Sequence, residues 1–315
     1  MLHSRRVARL VVLLSLALPT ALLAACQIGI PSAPVPEYPP TRSFLYQLQE
    51  IDLEAIAQSC YDLAIIDYSS DGSEQGEFTR NQIATLTDGP AAPKHILAYL
   101  SVGEAEAYRF YWKHWWSPGS PSWLDRENPH WEENYKVHYW DPEWQQIVFE
   151  YVDRVIDAGF DGVYLDLIDS YEYYETLGRT TAAAEMVEFV GAIRAHVTAR
   201  TPGYLIIVQN AAELVDLDSA YIHLVDGIGQ EDIYYGYLGD DIMTPPEATA
   251  DLESHLDTFL AAGKLVLTVD YAMTPAHIDQ AYGNSRAKGY VPFVTARSLN
   301  RMTVNPGHDP CDEFH

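Results

Sequence analysis

Residues 159–175 read GFDGVYLDLIDSYEYYE, and the first half of that stretch has the pattern of a buried strand. Val163, Leu165 and Leu167 alternate with Tyr164, Asp166 and Ile168, so one face is aliphatic and the other carries a carboxylate in mid-run. An ionised carboxylate without a partner is costly to bury, and Asp166 therefore calls for a function. Immediately upstream, Asp141 can cap a helix, Pro142 suits its first turn and Gly159 ends it. Between them Trp144, Ile147, Val148, Tyr151, Val152, Val155 and Ile156 fall on one helical stripe.

The same helix-then-strand unit recurs along the chain. Strands are expected at Phe44–Leu48, Leu63–Asp67, Ile96–Ser101, Gly162–Ile168, Leu205–Gln209, Gly227–Glu231, Leu265–Asp270 and Val291–Ala296, with further helices at Thr181–Arg200 and Pro246–Ala262. Eight strands alternating with helices predict an α/β fold, a (β/α)8 TIM barrel over residues 43–300 followed by a C-terminal tail, 301–315. A doubly wound open sheet is the rival, but no glycine-rich dinucleotide loop follows the early strands. Tyr135–Trp140 competes with Phe44–Leu48 for the place of a barrel strand.

The first residues stand apart. Arg5, Arg6 and Arg9 precede an apolar run, and Leu23-Ala24-Ala25-Cys26 supplies small residues before a cysteine. This resembles a bacterial lipoprotein signal over 1–25, with Cys26 as the lipid-bearing residue. Residues 26–42 form a Pro-rich linker that would hold the domain off a membrane. The expected location is the cell envelope outside the cytoplasm, with plain secretion if Cys26 is not used. Cys60 and Cys311 remain, in a compartment where a disulfide persists, though sequence alone does not decide whether they pair. The chain has 19 basic and 45 acidic residues, net −26; without the three signal arginines the balance is 16 against 45, or −29. Nucleic acid is excluded as a partner, because binding it needs a basic footprint.

In a (β/α)8 barrel, function sits at the C-terminal ends of the strands. Here those ends carry Asp67 and Tyr68, Ser101, Glu104 and Glu106, Asp166, Gln209 and Asn210, Glu231, Asp270 and Tyr271, and Arg297. A single acidic strand end is ordinary capping; a ring of them describes a cleft. Asp166 shares its face with Gly162 and Tyr164. Glu231 shares its face with Gly227 and Gly229, small residues expected to leave room in the barrel mouth. Asp161 and Asp169 are expected in turns with structural roles. All seven tryptophans, Trp140 among them, fall between 112 and 144, partly as an aromatic mini-core and partly as platforms for sugar rings. Two carboxylates across an aromatic-rimmed mouth are what glycoside hydrolysis requires.

The segments YDLAIIDYS, ILAYLSVGEAEAYR, NYKVHYWDPEWQ, GFDGVYLDLIDSY, QNAAEL, GIGQEDIYY and GYVPFVTARSL together resemble glycoside hydrolase family 114, the endo-α-1,4-polygalactosaminidase-like barrels. The resemblance runs from about Phe44 to Leu299. It implies endo-cleavage of an α-1,4-linked galactosamine polymer, with Asp166 as nucleophile and Glu231 as acid/base, though the sequence does not fix which does which. Asp67, Tyr68, Glu104, Arg109, Gln209, Asn210, Tyr271 and Arg297 match family motif positions and would help to position substrate. A partly deacetylated polymer is cationic, and the −29 charge would attract it. Neither a cofactor nor a metal is implied: the 11 histidines show no HxxxH or HExxH spacing, and no GxSxG elbow is present. The alternative from another class is a non-catalytic carbohydrate-binding lipoprotein on the same barrel.

Overall fold

Asp141 caps its helix as the sequence predicts: its side chain accepts from the amide of Glu143 at 2.9 Å, and Gly159 closes the element in the left-handed region at φ 89°. The helix, Pro142–Ala158, buries Trp144, Val148, Tyr151, Val152 and Val155. Removing each such side chain from water contributes roughly 1.5–3 kcal/mol. Its seat is fixed by Trp144, whose indole N–H donates to the carbonyl of Val102 at 2.8 Å. The structure, a computed structural model, describes residues 41–314 apart from 88 and 92. The signal peptide, Cys26 and all of the Pro-rich linker but 41–42 lie outside the described residues.

Eight parallel strands form the barrel, in sequence order around the sheet: β1 (Phe44–Gln47), β2 (Leu63–Ile66), β3 (His95–Ser101), β4 (Gly162–Asp166), β5 (Leu205–Gln209), β6 (Gly227–Glu231), β7 (Leu265–Asp270) and β8 (Val291–Val294). β8 lies against β1, and the amides of Leu48 and Gln49 donate to the carbonyl of Leu299 across the seam. This is a (β/α)8 TIM barrel.

Four strands end sooner than their apolar runs. Leu167 leaves the sheet at φ 60°, and Asp67 turns the chain by accepting from the amide of Ser69 at 2.9 Å. Local polar geometry there overrides alternation. Tyr135–Trp140 is no barrel strand. Asn134–Val137 pairs antiparallel with Glu104–Glu106 and Leu124–Glu127 in a small sheet that the sequence reading did not foresee. A hairpin, Tyr235–Gly236 with Gly239–Met243, and a helix, Pro275–Lys288, also went unread. That helix buries only Ala281, Tyr282 and Ser285, too thin a stripe to see.

The tryptophan-rich insertion packs into itself. Trp112 meets Trp116 at 5.5 Å between ring centroids, Trp116 meets Trp123 at 5.0 Å, and Trp123 meets the helix at Trp144 at 5.1 Å. At the far end of the chain Cys60 and Cys311 are joined, with Cα atoms 5.0 Å apart. The tail also packs on the barrel: Asn305 is buried and its amide donates to the carbonyl of Val294 at 2.7 Å.

Candidate active site

Asp166 is the last residue of β4 and stands opposite Ser101 in the β3–β4 register. The side chain facing it from β3 is Tyr99, whose hydroxyl donates to Asp166 Oδ2 at 2.7 Å. The left-handed turn at Leu167 brings its amide back to Asp166 Oδ1, also at 2.7 Å. A non-glycine residue at φ 60° costs free energy, and here the strain holds the carboxylate's orientation. Gly103 is required beside this turn, because a Cβ would collide with the hydroxyl of Ser170 and the carbonyl of Leu167. Burial first, then the charges of Glu231 and Asp169, push the Asp166 carboxyl well above the usual range despite its two donors.

Glu231, the last residue of β6, is held differently. Its Oε2 accepts from Gln209 Nε2 at 2.5 Å and from Asn210 Nδ2 at 3.4 Å, and its Oε1 accepts from the hydroxyl of Tyr271. Tyr46 on β1 donates to Gln209 Oε1 at 2.9 Å, so the network spans the barrel from β1 through β5 and β6 to the end of β7. Asn210 takes φ 60°, and its Oδ1 accepts from the backbone amide of Glu231 at 3.1 Å. Two carboxylates on alternate strands thus share one mouth. One is buried beside two like charges, and the other accepts from three donors.

The expected room above Gly229 is not there. A Cβ at that position would collide with the phenolic oxygen of Tyr164, whose ring fills the barrel beside Tyr46 at 5.3 Å between centroids. Gly229 makes space for an aromatic plug beneath the carboxylates, not for substrate. The space for substrate is a cleft of about 730 Å³ above it. That cleft is lined by Asp166, Glu231, Asp67, Glu104, Arg109, Gln209, Asn210, Tyr271 and Arg297 among others, with nine carboxylates against two guanidinium groups.

The family model for glycoside-hydrolase family GH114 matches residues 30–311. This chain belongs to family GH114. Among its relatives, an uncharacterised protein of Thermotoga maritima is 39% identical over 86% of both chains. One from Deinococcus radiodurans is 40% identical over 80% of this chain and 79% of its own. Among solved structures, the glycoside hydrolase domain of PelA from Pseudomonas aeruginosa covers 83% of this chain and 97% of its own, at TM-score 0.64 and 19% identity. Ega3 of Aspergillus fumigatus, solved in complex with galactosamine, covers 84% and 96% at TM-score 0.63 and 18% identity. The two solved structures share the fold, and family membership makes the chain a glycoside hydrolase.

Within this GH114 cleft the remaining sequence candidates separate. Arg109 is 4% exposed and bridges two buried carboxylates: Asp67 at 2.8 Å, and Glu106 through Nε at 2.7 Å and Nη2 at 3.1 Å. Burial pushes Asp67 up to about 6, restrained by Arg109. Tyr68 does not line the cleft; it packs edge-on against Tyr151 at 4.8 Å, behind this ion triad. Trp140 does not line it either, being stacked on His138 at 4.9 Å with Arg179 over its ring. Arg297 lines the cleft while tied to Asp232 at 2.8 Å and Asp240 at 2.7 Å, and it covers the Tyr271 ring at 3.9 Å. Glu104 is 1% exposed; one oxygen accepts from Asn128 and Lys136, and the other has no hydrogen-bond partner among the described residues.

Sequence reading missed Tyr99 and Tyr46, which hold Asp166 and Gln209. The signal existed for Tyr99, two residues before Ser101 and so on the same face of β3. It also gave Asp169 to a structural turn. Asp169 lines the cleft, its side chain makes no cap hydrogen bond, and burial with the charges of Glu172 and Glu231 pushes it up to about 7. Asp161, by contrast, is structural as read, accepting from the amide of Ile96 at 2.8 Å. Among the described residues no cluster of three or more His, Cys, Asp or Glu is arranged to hold a metal ion.

Proposed function

We propose that the protein cleaves an amino-sugar polysaccharide internally, an α-1,4-linked galactosamine polymer, by a two-carboxylate mechanism. The observation that carries this reading is the pairing of Asp166 and Glu231 on β4 and β6 over one acidic cleft. Their environments differ, which is the condition for one carboxyl to donate a proton while the other acts as base or nucleophile. Burial and neighbouring negative charge push the Asp166 carboxyl well above the usual range, while Glu231 accepts from Gln209, Asn210 and Tyr271. In the assignment that the family resemblance implies, the pair shares one proton, which passes from Asp166 to Glu231 so that Asp166 attacks the sugar as the carboxylate, and a cationic substrate amine nearby would favour that transfer. Glu231 then protonates the leaving oxygen and later activates water. The excess of nine carboxylates over two guanidinium groups suits a polymer bearing ammonium groups. Galactosamine in the Ega3 complex supports the same sugar class.

We further place the enzyme at the cell envelope, tethered through Cys26. The Cys60–Cys311 disulfide supports a compartment outside the reducing cytoplasm.

Incubation of the protein with galactosaminogalactan, deacetylated and untreated, followed by mass spectrometry, tests the reaction. Oligosaccharides are expected from the wild type and from neither Asp166→Asn nor Glu231→Gln, each reduced by about a thousandfold or more. Binding without products from the wild type would replace hydrolysis by the carbohydrate-binding alternative.

A further inference from the structure

Six of the seven tryptophans have neighbours that explain them. Trp112, Trp116, Trp123 and Trp144 build the mini-core, Trp140 packs with His138 and Arg179, and Trp115 sits edge-on to His114. Trp131 is different. It is 56% exposed, its indole makes no ring contact and no hydrogen bond among the described residues, and it lines the cleft. The next residue, Glu132, is also exposed, also lines the cleft, and forms no ion pair or hydrogen bond among the described residues.

The segment presenting this pair is held firmly. Asn128 donates through its side chain to Glu104 at 2.9 Å and accepts at 3.0 Å from the amide of His130. The Asn128 and Asn134 backbones are joined at 2.6 Å, and Glu133 is fixed by bonds to Glu127 and to the amide of Ala107. Glu104 and Lys136 tie the base of the same ribbon to the exit of β3. A rigid loop that exposes an indole face and an adjacent free carboxylate to a substrate cleft is pre-organised for a ligand with an apolar face and a positive charge. The other exposed aromatic of the cleft, Tyr108, is already engaged with Glu106 at 2.6 Å and with the Arg109 guanidinium.

We propose that Trp131 and Glu132 form a subsite, on the β3–β4 insertion wall of the cleft, that stacks the C–H face of one sugar residue and binds the ammonium group of a 2-amino sugar. The inference rests on the amino-sugar reading above and deepens it. Glu104, whose oxygens are buried, acts as a positioning residue by holding Asn128 in place. The subsite would favour long chains, because only a chain that reaches the β3–β4 insertion wall gains from it. It discriminates against acetylated residues at that position, where the charge is absent.

The test is steady-state hydrolysis of α-1,4-galactosamine oligomers of graded length, free and N-acetylated, by wild type, Trp131→Ala, Trp131→Phe and Glu132→Gln. For Trp131→Ala, KM is expected to rise about tenfold on the longest oligomers with kcat retained and the shortest substrates unaffected, and Phe to recover most of the loss. Glu132→Gln is expected to raise KM several-fold on free-amine oligomers only, an effect that added salt erases. Equal KM for wild type and Trp131→Ala at every length would overturn the subsite while leaving the function intact. So would a loss of kcat on short and long substrates alike, which would mark a distorted loop. Absence of wild-type turnover and binding with every galactosamine oligomer would instead remove the reading on which the subsite rests.

Discussion

Replacing Arg109 by Met removes the one guanidinium between Asp67 and Glu106 and leaves two carboxylates 6% and 2% exposed with no counter-charge. The three bonds lost, at 2.7, 2.8 and 3.1 Å, are charge-assisted and shielded from water. Breaking a buried pair by deleting one partner costs about 3–5 kcal/mol. For a domain of this size that lowers the thermal midpoint by roughly 6–20 °C. The cost has a sign with pH. Asp67 already titrates near 6 in the folded state against 3.8 as a free side chain, so the folded protein binds its proton first. Without Arg109 its folded value rises further, and stability is regained as pH falls from that value towards 3.8. The deficit of Arg109→Met against wild type should therefore be largest at pH 7.5 and shrink by pH 4.5, measured by calorimetry or urea unfolding. A triple variant, Asp67→Asn with Glu106→Gln and Arg109→Met, should return to within about 1–2 kcal/mol of wild type, because neutral groups carry no uncompensated charge. A midpoint for Arg109→Met within about 2 °C of wild type at pH 7.5, or a deficit independent of pH, would refute the reasoning.

Two further outcomes follow from the carboxylates that sequence reading undervalued. Asp169 is among the charges that hold on the pair the single proton Glu231 must later donate, so Asp169→Asn should shift the alkaline limb of the kcat/KM profile, where that proton is lost, down by about half a unit to one unit; an unmoved or raised limb would remove Asp169 from the pair's electrostatics. Asp270 is fully buried and pushed up to about 7 by burial, against 3.8 when free, so its contribution is complete below pH 3.8 and lost as pH rises through 7. The wild type should consequently lose about 2–4 kcal/mol between pH 4.5 and 8 from this group, and Asp270→Asn should flatten that slope in pH-dependent unfolding curves.

Much of the barrel was legible because its signals are local. Strand alternation around Asp166 and Glu231, the Asp141 cap and the Gly159 stop each arise within a few residues, and β5, β6 and β7 match their expected limits. The strands misjudged in length are those where a polar turn overrides the apolar run, as at Asp67 and Leu167. The small sheet of Glu104–Glu106, Leu124–Glu127 and Asn134–Val137 was hidden because its short strands alternate weakly among tryptophans that pack on each other.

By itself, then, the sequence determined a chain of β/α units with carboxylates at strand ends, since period and capping are properties of neighbouring residues. It also determined the acidic excess, which needs no coordinates. The tertiary structure alone decided which strand ends cooperate. Tyr46, Gln209, Glu231 and Tyr271 are far apart in sequence and meet only because barrel closure and register bring four strands to one rim. It decided that Gly229 yields its space to Tyr164, that Tyr68 and Trp140 serve packing, and that Trp131 does not. Residue type and spacing cannot separate a buried indole from an exposed one, because burial is set by what the rest of the chain places against it.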